Sequence, residues 1–184
     1  MQFEATAIPD VNIVAPKKHG DARGFFYEVC KVSDWRAAGL DLAFVQDNHS
    51  YLAPAGTLRG LHFQIAPAGQ DKLVRVVRGR ILDVAVDLRR SSSTLGQHVA
   101  VELSAENWRQ LLVPIGFAHR FVTLEPDTEL LYKVTSLYSP DHDRGLAWDD
   151  PDLGIDWRIP PGGPMLSPRN TKWPRLRDLP DAFA

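Results

Sequence analysis

Cysteine is almost missing from this sequence: Cys30 is the single one in 184 residues. No internal disulfide framework can form, and such a chain fits a reducing compartment, so the cytoplasm is the expected location. An excess of one charge is missing too. Lys plus Arg number 21 against 23 Asp plus Glu, a formal net charge of −2. A protein that coats duplex nucleic acid needs a basic face, so nucleic acid is not an expected partner. A local cationic pocket for a small phosphorylated ligand remains compatible with the balance. No run approaches the ~18 apolar residues of a membrane span, so no membrane partner is expected. The opening Met-Gln-Phe-Glu-Ala-Thr carries an acid and no apolar run, unlike an export signal. Repeats, low-complexity tracts and linker-like shifts are also lacking, which makes residues 1–184 one expected domain. With 44% hydrophobic and 24% charged residues, a disordered chain is excluded.

Helical signals are sparse. Residues 33–39 have an N-cap candidate in Ser33 and a closing Gly39, enough for about two turns, and 104–110 is a second short candidate. Short β-type runs fill the rest, at 3–8, 25–29, 44–48, 57–64, 72–78, 80–88, 98–103, 111–114, 119–123 and 129–135. Leu82, Val84, Val86 and Leu88 alternate with Asp83, Ala85 and Asp87, the pattern of a strand with one apolar face. Arg78-Gly79-Arg80 reads as a tight turn between two strands. The expected fold is therefore all-β, an antiparallel sandwich or jelly roll with a few short helices. After Trp148 the chain becomes rich in Pro, Asp and Gly, which predicts irregular segments lying over the barrel.

Five clusters carry candidate chemistry. Gly20-Asp21-Ala22-Arg23-Gly24 leading to Glu28 reads, taken alone, as a polar turn into a strand with solvated charges. Gln46-Asp47-Asn48 is a turn, or a set of amides that could read the edge of a nucleobase. Leu58-Arg59-Gly60-Leu61-His62-Phe63-Gln64, followed by Lys72, puts a histidine inside a β run, where it is a satisfied structural residue or a general base. Nearby Arg59 and Lys72 would lower its pKa from about 6.5 and keep it neutral, as a base must be. In an ideal strand Arg59 and His62 point to opposite faces, so they serve one pocket only if Gly60 marks a bulge or twist. Pro114-Ile115-Gly116-Phe117-Ala118-His119 has the P-x-G-x-x-H shape of the second cupin motif. Metal cupins add H-x-H and a glutamate; here His62-Phe63-Gln64 stands alone, and two histidines without a carboxylate make a poor first-row site, so no metal is expected. Glu129-Leu130-Leu131-Tyr132-Lys133 and Tyr138 offer tyrosines that are either core rings with rim hydroxyls or a proton donor. Tyr132 and Tyr138 would lie about 20 Å apart on an extended strand, so both reach one ligand only if the chain bends.

Together these clusters resemble the dTDP-4-dehydrorhamnose 3,5-epimerase family. GDARGFF, FVQDN, LRGLHFQ, QDKLVRVVRG, DVAVDLR, LSAEN, PIGFAH, ELLYKVTSLYSP and GLAWDDPDLGIDW fall in that family's order from Ile8 to Pro174. The resemblance implies a cofactor-independent, cupin-type jelly roll that works as a homodimer. It implies an isomerase of dTDP-rhamnose biosynthesis, acting on a nucleoside-diphosphate 4-ketosugar by epimerising C3 and C5. His62 then corresponds to the base and Tyr132 to the acid, with Lys72 and Arg59 as cations near the sugar. Arg23, Glu28, Gln46, Asp47, Asn48, His119, Tyr138 and Asp143 match ligand-contacting positions, and part of the nucleotide site comes from the second subunit. No second histidine is expected to replace His62. One departure stands out: where the family has L-S-x-K-D, this chain reads Leu166-Ser167-Pro168-Arg169-Asn170. Arg169 preserves a phosphate-binding charge. Asn170 takes the place of the aspartate that orients the histidine; it can accept a hydrogen bond but supplies no negative charge. A weaker dyad, help from Asp83, or altered activity would each follow. The alternatives are a single-carbon epimerase, an enzyme for another nucleotide-linked 4-ketosugar, a metal-dependent cupin oxygenase, and a non-catalytic nucleotide-sugar binder.

Overall fold

A computed structural model describes residues 1–167, 172–180 and 183. Among them, two antiparallel sheets lie face to face. The first contains, in spatial order, β1 (Gln2–Ala5), β2 (Asn12–Ala15), β10 (Gln110–Val113), β7 (Lys72–Arg78), β12 (Thr128–Val134) and β5 (Gln46–Leu52). The second contains β13 (Asp143–Gly145), β6 (Leu58–Gln64), β11 (Phe117–Thr123), β8 (Arg80–Asp87) and β9 (His98–Ser104). A separate hairpin joins β3 (His19–Asp21) to β4 (Gly24–Phe26). This is the expected all-β, cupin-type jelly roll. No described helix is long and apolar enough to cross a membrane.

Local chemistry accounts for the departures from expectation. The run at 3–8 ends early, because the chain turns back and Val11 N–H bonds the Ile8 carbonyl, letting β2 pair with β1. The helix α1 spans Val32–Ala37, with Lys31 at its N-cap and no side-chain cap, so Ser33 lies inside it. Residues 104–110 form no helix. Ser104 Oγ accepts the N–H groups of Glu106 and Asn107, and Asn107 Oδ1 accepts those of Ser104 and Arg109. These side-chain bonds compete with helical ones and hold a turn.

Three apolar layers result. Between the sheets, Val74, Ile81, Ala85, Leu111, Phe117, Phe121 and Leu130 pack together. Outside the first sheet, Trp35 of α1 covers Val14, Leu73 and Leu112. Outside the second, Leu146, Leu153 and Trp157 from the irregular C-terminal stretch cover Leu82, Val84 and Val86. The alternation in β8 thus has a different meaning from the one expected. Its greasy face lies under the C-terminal strap, while Asp83 and Asp87 share the interior parity with Ile81 and Ala85, and both faces are buried. Trp157 Nε1 donates to the Trp148 carbonyl at 2.9 Å, fixing the strap.

The ladder between β6 and β11 slips once. His62 lies opposite His119 and Gly60 opposite Arg120, leaving Leu61 as an extra residue, and Arg59 lies opposite Phe121. Such a bulge reverses the alternation of side chains. Gly60 has φ +113°, and a Cβ there would collide with the His119 carbonyl. The fully buried Arg120 donates to the carbonyls of Gly60 and Leu58, and its guanidinium lies 5.6 Å from the Trp157 ring centroid. Burial pulls the Arg120 pKa down to about 9, against the opposing pull of Asp149. Gly60→Ala should therefore destabilise the fold by about 2 kcal/mol, a fall in Tm of about 4–8 °C. A thermal melt matching the parent's would remove the bulge from this account.

Candidate active site

One end of the barrel interior opens as a cleft of about 490 Å³. Arg59 and His62 from β6, Lys72 from β7, His119 from β11, Tyr132 from β12 and the following Tyr138 all line it. The bulge at Leu61 puts Arg59 and His62 on one side, meeting the geometric condition that an ideal strand fails. A bend supplies Tyr138. Past Val134 the chain turns at Thr135 and Ser136. Gln70 donates to the Ser136 carbonyl at 2.7 Å and Gln64 to the Leu137 carbonyl at 3.2 Å, while Gln64 Oε1 accepts the Ser139 N–H at 2.7 Å. Gln64, where a metal cupin would place a ligand, is a buried clamp on this loop. Among the described residues no three His, Cys, Asp or Glu side chains gather as a metal site requires.

The cleft's electrostatics follow from burial. Desolvation pulls the Lys72 ammonium down to about 8, although Asp143 and Asp83 pull it up. Its Nζ donates to the His62 carbonyl at 3.4 Å. Burial pushes the Tyr132 phenol above its ordinary value, with Arg59 opposing, so the hydroxyl keeps its proton at neutral pH. His119 Nε2 lies 2.6 Å from Oδ1 of the fully buried Asp83. This corrects one expectation. Asp83 serves His119, not His62, because β8 and β11 are ladder neighbours with Phe121 opposite Asp83. A second histidine also stands directly across from His62, with a carboxylate of its own. Tyr138 donates to Asp143 Oδ2 at 3.2 Å, and Asp143 is buried.

Other candidates lie elsewhere. Arg23 is 90% exposed and pairs with Asp21 at 2.6 Å in the β3–β4 hairpin. Glu28 pairs with Lys31 at 3.0 Å on the surface. Gln46 and Asn48 share the β5 face of Ser50, which lines the cleft, and bond each other at 2.7 Å. Asp47 has the opposite parity and accepts from Lys133 at 2.6 Å. Arg169 and Asn170 lie outside the described residues. Sequence reasoning missed Ser50, Phe121 and Ser167 in the cleft wall and Trp173, whose ring centroid is 5.7 Å from that of His62. Strand parity could have found Ser50 and Phe121; Ser167 and Trp173 sit in irregular chain, which carries no periodic signal.

Comparison with known proteins bears on this geometry. The family model described as dTDP-4-dehydrorhamnose 3,5-epimerase matches residues 5–178. The dTDP-4-dehydrorhamnose 3,5-epimerase of Sinorhizobium fredii is 49% identical over 183 residues, covering 100% of this chain and 93% of that one. That of Pseudomonas aeruginosa is 48% identical over 184 residues, covering 100% and 99%. The solved structure of dTDP-6-deoxy-D-glucose-3,5-epimerase from Legionella pneumophila, in complex with dTDP-4-keto-L-rhamnose, aligns at a TM-score of 0.92 and 40% identity, over 97% of this chain and 94% of that chain. A metal-cupin motif without its ligands, a cleft of bases and cations, and similarity along nearly the whole chain converge: this protein belongs to the dTDP-4-dehydrorhamnose 3,5-epimerase family.

Proposed function

We propose that the protein is a cytoplasmic isomerase that epimerises C3 and C5 of a dTDP-linked 4-keto-6-deoxyhexose. The observation that carries this reading is the convergence of His62, half-buried Lys72 and protonated Tyr132 on one cleft. Both carbons flank the C4 ketone, so loss of either proton gives an enolate. His62 takes the proton from one face of the ring. The charge that moves onto the ketone oxygen meets the Lys72 ammonium, with Arg59 beside it. Tyr132 returns a proton from the other face; solvent then reprotonates Tyr132 and takes the proton from His62, which resets both groups for the second carbon. General acid–base assistance is worth about 10²–10⁴-fold, so charge stabilisation by Lys72 carries much of the remaining acceleration. Only protons move, so the scheme calls for no redox cofactor. His119, oriented by Asp83, holds the sugar; the family resemblance assigns Arg169 to the phosphate and Asn170 to the base.

A homodimer completes this reading. The arm formed by β3 and β4 carries Arg23 and leads to Glu28, and it exposes Phe25 and Phe26 at 58% and 68%. Strand β5, with the Gln46-Asp47-Asn48 run, lies at an open sheet edge. An arm from a second copy reaching that edge would cover the phenylalanines and bring Arg23 and Glu28 to the nucleotide end of the cleft. Sedimentation at micromolar concentration should give twice the 20.6 kDa chain mass, and a monomer mass would overturn the arrangement.

Proton NMR of the product formed in heavy water tests the chemistry. Deuterium should enter at both C3 and C5, and His62→Ala should slow both exchanges by about 100-fold or more. Exchange at one carbon only would make this a single-carbon epimerase. Exchange at the parent's rate in His62→Ala would pass the base's role to His119. Lys72 sets the alkaline side of the profile. Its ammonium is charged below about 8 and neutral above, so kcat/KM should fall as pH rises through about 8. A flat profile across that range would take Lys72 out of enolate stabilisation.

A further inference from the structure

The irregular chain that follows the cleft wall sets an indole against His62. Gly145 of β13 lies directly opposite His62 in the β13–β6 ladder. The Trp173 ring occupies the space that a side chain at 145 would need, since a Cβ on Gly145 would collide with the indole. The backbone that follows Trp173 is tied down: the Ala147 N–H bonds the Pro174 carbonyl at 2.8 Å, and the Leu176 N–H bonds Asp150 Oδ2 at 2.7 Å. From this seat the indole meets the imidazole with ring centroids 5.7 Å apart and planes at 73°. Aromatic pairs prefer this edge-to-face geometry, and an indole attracts a cation that stands over its ring face within about 6 Å of the centroid.

The charged groups around His62 make such a neighbour consequential. Arg59 on the same strand and Lys72 on β7 are cations lining the same cleft, and both oppose a positive charge on the imidazole. Across the ladder His119 is held by Asp83 on β8, so that carboxylate is already engaged. On β13, Asp143 accepts from Tyr138, and Tyr132 of β12 contributes a neutral phenol.

We propose that Trp173 is a positioning residue for His62: its indole fixes the imidazole ring on the cleft wall and favours the imidazolium, making His62 a stronger base. This rests on the reading of His62 as the base. The glycine at 145 is required because the indole lies against its backbone.

Three variants test it: Trp173→Leu, which keeps an apolar filler, Trp173→Phe, which keeps a π face, and Gly145→Ala, which displaces the indole from below. Two readouts are needed, the NMR titration of the His62 ring proton in the free protein and the pH dependence of kcat and KM. Losing an interaction that favours the charged form lowers a pKa. Trp173→Leu should therefore lower the His62 pKa by about 0.5 and kcat by about threefold, with KM nearly unchanged. Gly145→Ala should reproduce both effects, and Trp173→Phe should recover most of each. Unchanged His62 titration in Trp173→Leu and Gly145→Ala would overturn the proposal, as would a loss confined to KM or a phenylalanine variant no better than leucine. If the titration moves while kcat and solvent exchange stay at parental values, the positioning role stands and the assignment of His62 as base falls. Melting curves of all three variants show whether each is folded at the assay temperature.

Discussion

Side chains alternate across a strand, so Arg59 and His62, three residues apart, belong on opposite faces of β6. One extra residue, Leu61, cancels that alternation and turns both into the cleft. The slip persists because Gly60 can hold φ +113° and because a buried guanidinium meets the carbonyls around it. Burying Arg120 costs solvation, which its two backbone acceptors, the Trp157 ring and the Asp149 charge offset. The cleft thus depends on a charge on the far side of its own wall. Trp157 couples the C-terminal strap to the same point, since it both covers the second sheet and faces Arg120.

This layering explains how the interior can afford polar groups. A sandwich with one buried face per sheet would need that face to be apolar. Here both sheets are also covered on the outside, by Trp35 on one and by Leu146, Leu153 and Trp157 on the other. The interior is then free to hold Asp83, His119, Lys72 and Tyr132 at one end while Ile81, Val74 and Leu111 fill the rest. Several of the buried polar groups have partners there: Asp83 Oδ1 takes His119, Asp87 accepts from Arg89, Ser92 and Thr94, and Gln64 clamps the loop that carries Tyr138. Partial desolvation of the Lys72 ammonium brings its pKa down to about 8 and strengthens its interaction with charge formed in the cleft.

Much of the fold was legible because strand periodicity is local. The run at 72–78 appears unchanged as β7, and 80–88 loses one residue as β8. The three-residue strands β3 and β13 left no such trace, because strands that short show no alternation, and the run at 25–29 survives only as β4 at Gly24–Phe26. The helix expected at 104–110 failed for an equally local reason, the competition of Ser104 and Asn107 side chains for backbone N–H groups. The candidate site was legible as residue types in order: a histidine between two cations, a tyrosine on a late strand, a cupin motif without its metal ligands.

By itself the sequence determined the strand content, the absence of a disulfide framework, the family resemblance and the identity of the groups that carry chemistry, since each is a property of composition or short-range pattern. Only the tertiary structure decided which groups meet. The apolar face of β8 turned outward because the strap residues Leu153 and Trp157, about seventy positions along, offered it cover. Asp83 went to His119 because β8 and β11 became ladder neighbours. Trp173 reached His62 because β13 returned to pair with β6 and presented a glycine at the point of contact. Pairings between segments so far apart in the chain are set by the register of the closed barrel, and no local pattern encodes a register.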